Sequence, residues 1–434
     1  MEHSEPLVVP GCTIRWLMGL WQPQGRGSSF LSRLRSAMTL ICIAFLVLCV
    51  TLKLSADPPQ ELEQLTLCCL VVSICVGFLC KVALFVAQGS TMRESVRLLE
   101  DARTQFCNGD NNQLTRHRYQ KLSDNIYYYY QVVAVPAVIG WVLCPLLSSS
   151  VTMTDQDQQE ARRQLPMPVW LPFDINKSPT YEFLYVAQSI CSLVTSQSCL
   201  SVDIFFVYMM LMAAAEFEVL NDNVSAMEYT NMKKARTEPE EFISKYKRSG
   251  GNLALPQNGQ DLGEETYIEN AKHTWLHQQL LKNVLHHQKI LRSVSLLQSG
   301  MNVSIFCLLF INMANLCSSL FVAAVLLQRD GSVGKALNAL STIPVQLYET
   351  TIYCIYAHIL TDQSDRLMYS AFSCSWIDSD VRFKRSLSIF MMVTVQPIRI
   401  TVGKMCTLSK QMLLQVLNGT YGLLNMLYYL HRSK

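Results

Sequence analysis

Apolar residues in this chain gather into long runs, at 37–54, 65–87, 127–148, 183–215, 296–327, 340–360 and 411–430. A helix of about twenty apolar residues covers a hydrocarbon layer of roughly 30 Å. The pattern therefore predicts an all-α membrane protein with seven transmembrane helices. The runs at 183–215 and 296–327 are longer than such a layer requires, so their helices are expected to continue into the cytoplasm and form an anchor bundle there. Upstream of the fifth run, Trp275, Leu276, Leu280, Val284, Leu285, Leu291 and Val294 recur at helical spacing. An amphipathic helix over 264–298 leading into the fifth span follows.

Lys and Arg in the loops set the orientation, because positive residues are retained on the cytoplasmic side. With the N-terminus inside, the arm 1–36 carries four, the stretch between spans two and three six, the cytoplasmic loop 216–295 ten and the segment 361–410 seven. Together these hold 27 of the 36 basic residues. The N-terminus is thus predicted cytoplasmic and the C-terminus extracellular, the inverse of the G-protein-coupled arrangement. The arm lacks the charged start and short apolar core of a cleaved signal peptide, which leaves the first span as the insertion signal. Spans one to four occupy 37–215, with an extracellular lid at 149–182 rich in Pro166, Pro168, Trp170, Pro172, Phe173 and Pro179. Spans five and six occupy 296–360. A charged, Gly- and Pro-bearing insertion at 236–263 is expected to be mobile. Of the glycosylation sequons at Asn176, Asn223, Asn302 and Asn418, only Asn176 falls in a predicted external loop.

The last span, within 411–434, differs from the others. At about 100° per residue, Gln411, Gln415, Asn418 and Asn425 form one stripe with Gly422, while Leu413, Leu417, Thr420, Leu424 and Tyr428 lie opposite. An amide left unpaired in hydrocarbon costs on the order of 1 to several kcal/mol. The stripe must therefore meet another helix or a water path, and the sequence alone leaves both open.

Composition narrows the function class. Half of the residues are hydrophobic, only 16% are charged, and the net charge of +3 gives no reason to expect a nucleic-acid partner. Most of the 16 cysteines sit in or beside spans, as buried thiols would, and none falls clearly in an external loop. No phosphate-cradling loop, nucleophile elbow or pair of membrane carboxylates suited to proton relay is present, so the chain is read as no enzyme. Neither His358 nor the cluster His273, His277, His286 and His287 has a convincing catalytic partner. The cluster also lacks the carboxylate spacing of a zinc site and reads as solvated helix histidines, with no metal or cofactor. Asp203 and Glu349 are expected near the membrane boundary, satisfied by water or a polar neighbour.

Four stretches carry a family likeness: LPFDINKSPTYEFLYVAQ at 171–188, LHHQKILRSVSLLQ at 285–298, AFSCSWID at 371–378 and MMVTVQPIRITVGKMCTLSKQMLLQVLNGTYGLLNML at 391–427. With seven inverted spans, they resemble the insect odorant receptor family over nearly the whole chain. The resemblance implies an odorant-binding subunit of a heterotetrameric, ligand-gated, non-selective cation channel in the plasma membrane of an olfactory neuron dendrite. Its partners would be a shared odorant coreceptor subunit, a small volatile or pheromone, permeating cations and the lipid bilayer. The coreceptor's longer insertion between spans four and five is not recognised at 236–263, which favours the ligand-tuning subunit. Gustatory relatives end in Thr-Tyr, five apolar residues and Gln; Thr420 and Tyr421 fit, but Asn425 interrupts the run and Leu427 replaces the Gln. A gustatory-type channel and a metabotropic seven-helix receptor are the alternatives. By resemblance, Ala134, Ala137 and Trp141 on span three, Tyr185 and Ser189 on span four, and Tyr353 and Tyr356 on span six face the ligand. Leu424 and Tyr428 constrict the pore, and Asn418 and Asn425 then bond between helices.

Overall fold

The computed structural model describes residues 9–21, 29–59, 62–106, 110–151, 165–170, 172, 178–227, 261–329, 340, 343–374, 376–377, 379–403 and 406–432. At 62–64, 67, 110, 144, 146–151, 261–271, 326–329, 427–428 and 430–432 only the backbone is described. The helices are α1 (Cys12–Leu17), α2 (Ser29–Ala56), α3 (Leu62–Ala87), α4 (Gly89–Gln105), α5 (Asp110–Val151), α6 (Thr180–Ser225), α7 (Asp261–Arg329), α8 (Ile343–Ser373), α9 (Val381–Thr394) and α10 (Lys410–Arg432). A short antiparallel hairpin, β1 (Thr401–Val402) with β2 (Cys406–Thr407), links α9 to α10. Among the described residues, five helices are long and apolar enough to cross a membrane: those holding the first five predicted spans. The predicted sixth and seventh spans lie in α8 and α10, which are more polar.

α6 stands at the centre. From Ser198 to Phe217 every residue is buried, the signature of a helix enclosed on all sides rather than along one stripe. α2, α3, α4, α5, α7 and α8 pack around it, and Phe85 of α3 meets Phe205 and Phe206 edge-on at 5.2 and 5.7 Å. The N-terminal turn also docks here. The buried Arg15 guanidinium donates to the carbonyls of Val9 at 3.0 Å and Pro10 at 2.5 Å. Gly19, at φ 70°, makes a turn in which a Cβ would lie 2.4 Å from the Ser36 backbone nitrogen, so only glycine fits without a shift.

α7 runs for 69 residues, so the amphipathic segment and the fifth apolar run form one rod of roughly 100 Å. Its packing direction follows from two pairs: Glu216 of α6 meets His286, and Met227, just past the end of α6, meets Asn283, earlier on α7. α6 and α7 are therefore antiparallel. α8 runs with α6, since Asp203 meets Tyr353 and Asn221 meets Gln363.

The expected stripe of α7 is corrected at one turn. Leu285 is exposed, whereas His286 and His287 are buried. They are not solvated, because each has an interior partner. His286 bonds Glu216 at 3.1 Å and stacks on Phe106 with ring centres 4.5 Å apart; His287 meets the rings of Phe217 and Phe390. Glu216 also accepts from Arg116 at 2.8 and 2.7 Å. This buried ion cluster joins α5, α6 and α7. The predicted mobile insertion lies outside the described residues apart from 261–263, which open α7.

Candidate functional site

Three ionisable side chains on three different helices meet inside the bundle. Lys81 of α3 donates to Asp203 of α6 at 2.7 Å and to Glu349 of α8. All three are buried, Lys81 at 2% and Asp203 at 0% exposure. Two carboxyl groups share one ammonium, and neutral donors surround them. Tyr353 donates to Asp203 at 2.5 Å, Tyr130 at 3.4 Å, and Asn312 donates to Glu349 at 3.3 Å. Of the two expectations for Asp203 and Glu349, water or a polar neighbour, the structure gives the second, with Lys81 added. They are not separate: Lys81 bridges them. A charge stripped of water is tolerated only with such partners. The signal in the sequence was one ionisable residue in each of three apolar runs, which needed to be read jointly.

The predicted ligand residues fall at two levels. Towards the Thr180 end of α6, Trp141 is 38% exposed and Ala137 is exposed, both on α5. Tyr185 donates its hydroxyl to the carbonyl of Val142, next to Trp141, and Ser189 bonds its own helix at Tyr185. Deeper, Ala134 is half-buried a turn outward of Tyr130, and Tyr356 is half-buried a turn inward of Tyr353. Tyr353 is fully buried and engaged with Asp203, so its hydroxyl belongs to the charged cluster. Tyr348 and Tyr130 pack edge-on at 5.0 Å beside that cluster. Over the outer level, the buried Gln188 side chain grips the backbone of Met167, accepting from its N–H at 3.0 Å and donating to its carbonyl at 3.2 Å. That fixes the described part of the lid on α6. Asn176 lies outside the described residues.

α10 packs on α7 and α8 through Val416 and Thr420, with Met412, Leu413, Gly419 and Leu424 half-buried beside them. Gln411, Gln415, Asn418, Gly422 and Asn425 are exposed and point away from the chain's own bundle. Leu424 therefore sits at the rim of the packed face, not opposite it. The Tyr428 side chain lies outside what is described.

Residues 61–421 match the sequence profile of the 7tm odorant receptor family, and the chain belongs to that family. Among curated relatives, odorant receptor 33a of Drosophila melanogaster is 22% identical over 33% of this chain and 36% of its own. Odorant receptor 42a of the same fly is 30% identical over 28% and 29%. Odorant receptor Or1 of Anopheles gambiae is 21% identical over 68% and 64%. The chain thus spans little over a third of the length of the first of these. The fold matches that of the insect olfactory receptor OR5 from Machilis hrabei, with a TM-score of 0.72 at 13% identity over 97% of this chain and 96% of that one. The same receptor in complex with eugenol gives 0.67 at 14% identity over 96% and 95%.

Proposed function

We propose that this chain is the odorant-tuning subunit of a ligand-gated, non-selective cation channel, assembled with a coreceptor in the plasma membrane of olfactory neuron dendrites. The observation that carries it is α10. A membrane helix whose amide stripe turns away from its own bundle needs partners outside the chain, either another subunit or water. Around a central pore it would have both. Seven spans with the N-terminus inside complete the arrangement, in keeping with the loop charges. Ala134, Ala137, Trp141, Tyr185 and Ser189 would supply the walls of a mostly apolar ligand site in the outer half of the bundle, with Tyr353 and, a turn farther in, Tyr356 at its floor. Leu424 and Tyr428 would form the constriction, which an apolar ring can close by dewetting. Asn176 would carry the glycan.

Coexpression with a coreceptor is expected to give a cation current opened by a small volatile, and expression alone little or none. Currents that disappear when G-protein signalling is blocked would replace the channel with a metabotropic receptor. Family membership and the matching fold support the first outcome.

A second arrangement of the pore is favoured by the exposure of Gln415, Asn418 and Asn425 beside a half-buried Leu424. The polar stripe itself would line the water path. Cysteines introduced one at a time at 418, 425, 424 and 428 separate the two. Blockade by a pore-applied thiol reagent at 424 and 428 supports the apolar constriction, and blockade at 418 and 425 alone supports the polar lining.

A further inference from the structure

One turn outward from the Lys81 cluster, the seam between α7 and α8 changes character. Asn312 of α7 donates to Glu349 and, at 3.4 Å, to Thr350 of α8, so the two helices are in register there. α7 is antiparallel to α6 and α8 is parallel to it. One turn on along α7 and one turn back along α8 therefore reach the same level, at Asn315 and Gln346. Both are buried, at 2% and 5% exposure. Both carry polar atoms without a partner: the Asn315 Nδ2 and the Gln346 Nε2 and Oε1. The Asn315 oxygen lies 2.6 Å from the Ser73 hydroxyl of α3, whose single proton it shares with the Leu70 carbonyl at 2.8 Å.

Buried side-chain amides are nearly always bonded, because a bare donor or acceptor forfeits its hydration for nothing. Inside the Lys81 cluster every helix supplies a partner. Here only Ser73 of α3 does, at the Asn315 oxygen, and the other three polar atoms have none, although leucine or methionine would fill the same volume with no polar group to satisfy. Two free donors and one free acceptor at a single level match the needs of one oxygen function: a carbonyl takes the donors, and a hydroxyl takes one donor and gives to the acceptor. We infer that Asn315 and Gln346 form a recognition point for the hydroxyl or carbonyl oxygen of a small, otherwise apolar ligand. This rests on the proposed receptor function. It adds α7 to the ligand-facing helices and makes the ligand class oxygenated volatiles rather than hydrocarbons.

The full chain, coexpressed with its coreceptor, is tested against a panel of volatile alcohols, ketones and esters, each beside its parent hydrocarbon. The wild type is expected to open at lower concentrations with the oxygenated member of a pair. Gln346→Met is expected to shrink that preference by about tenfold, the scale of one lost hydrogen bond, and Asn315→Leu to do the same for carbonyl ligands. Thermal unfolding of the solubilised ligand-free variants is the companion measurement. For Gln346→Met an unchanged or raised midpoint is expected, since neither end of that amide has a partner to lose, whereas Asn315→Leu also gives up the contact with Ser73 and its midpoint is expected to fall. A lowered midpoint for Gln346→Met, or an oxygen preference that survives both substitutions, overturns the assignment while leaving the receptor intact. A wild-type complex that answers only hydrocarbons also overturns it. A wild-type complex silent to the whole panel overturns the receptor function itself.

Discussion

The sequence predicts spans at α6 and α10 from the same kind of run, yet the fold treats their polar residues in opposite ways. On α6, Gln188, Asp203, Glu216 and Asn221 are all buried and all bonded by side chains or backbone of the same chain. On α10, Gln411, Gln415, Asn418 and Asn425 are exposed. Polarity in an apolar run signals a partner in either case. Where that partner lies depends on the helix's place in the bundle. Seven helices pack around α6, whereas α10 packs on two and keeps one side free. A buried charge in the first is a matter of internal stability, and an amide in the second is a matter of assembly.

That contrast breaks most visibly at Lys81. Replacing Lys81 by Met leaves Asp203 and Glu349 adjacent, buried and without their counter-ion, which costs about 3–5 kcal/mol. The expected outcome is a large fall in the thermal unfolding midpoint of the solubilised chain and little surface expression. The triple replacement Lys81→Met, Asp203→Leu and Glu349→Leu should recover much of the loss, because it removes the charges along with the bridge. A single variant as stable as its parent would mean that these groups are not desolvated, and the contrast with α10 would fail at its strongest point.

The smallest effect on the chain itself is expected at the other helix. Asn418→Leu with Asn425→Leu alters exposed positions and should leave the unfolding of the isolated chain within about 0.5 kcal/mol of the parent. Coassembly with the coreceptor, read by copurification, should fall or the conductance should change. Destabilisation of the isolated chain instead would place those amides inside its own packing and erase the distinction.

Much of the fold could be read before any tertiary contact was known. The runs at 183–215 and 296–327 became the cores of α6 and α7, and both helices continue past the length a membrane needs. The polar stripe of α10 followed from spacing alone. Other features escaped because they depend on which helices touch. His286 and His287 looked like solvated residues on an amphipathic helix, since nothing in the local sequence announces Glu216, some 70 residues earlier, or the rings of Phe106 and Phe390. Tyr353 was placed among ligand contacts, and only the fold gives its hydroxyl to Asp203. Asn315 and Gln346 drew no notice, because an unpartnered atom is invisible until its neighbours are known.

The sequence by itself determined the solvent of each segment: hydropathy and charge are local properties, and they decide which stretches leave water, how long their helices run and which face is polar. Tertiary structure alone decided the pairings. Lys81 and Glu349 are 268 residues apart, and their meeting depends on three helices crossing at one level, a consequence of packing shape that no local period encodes. The same packing enclosed α6 and left one side of α10 open.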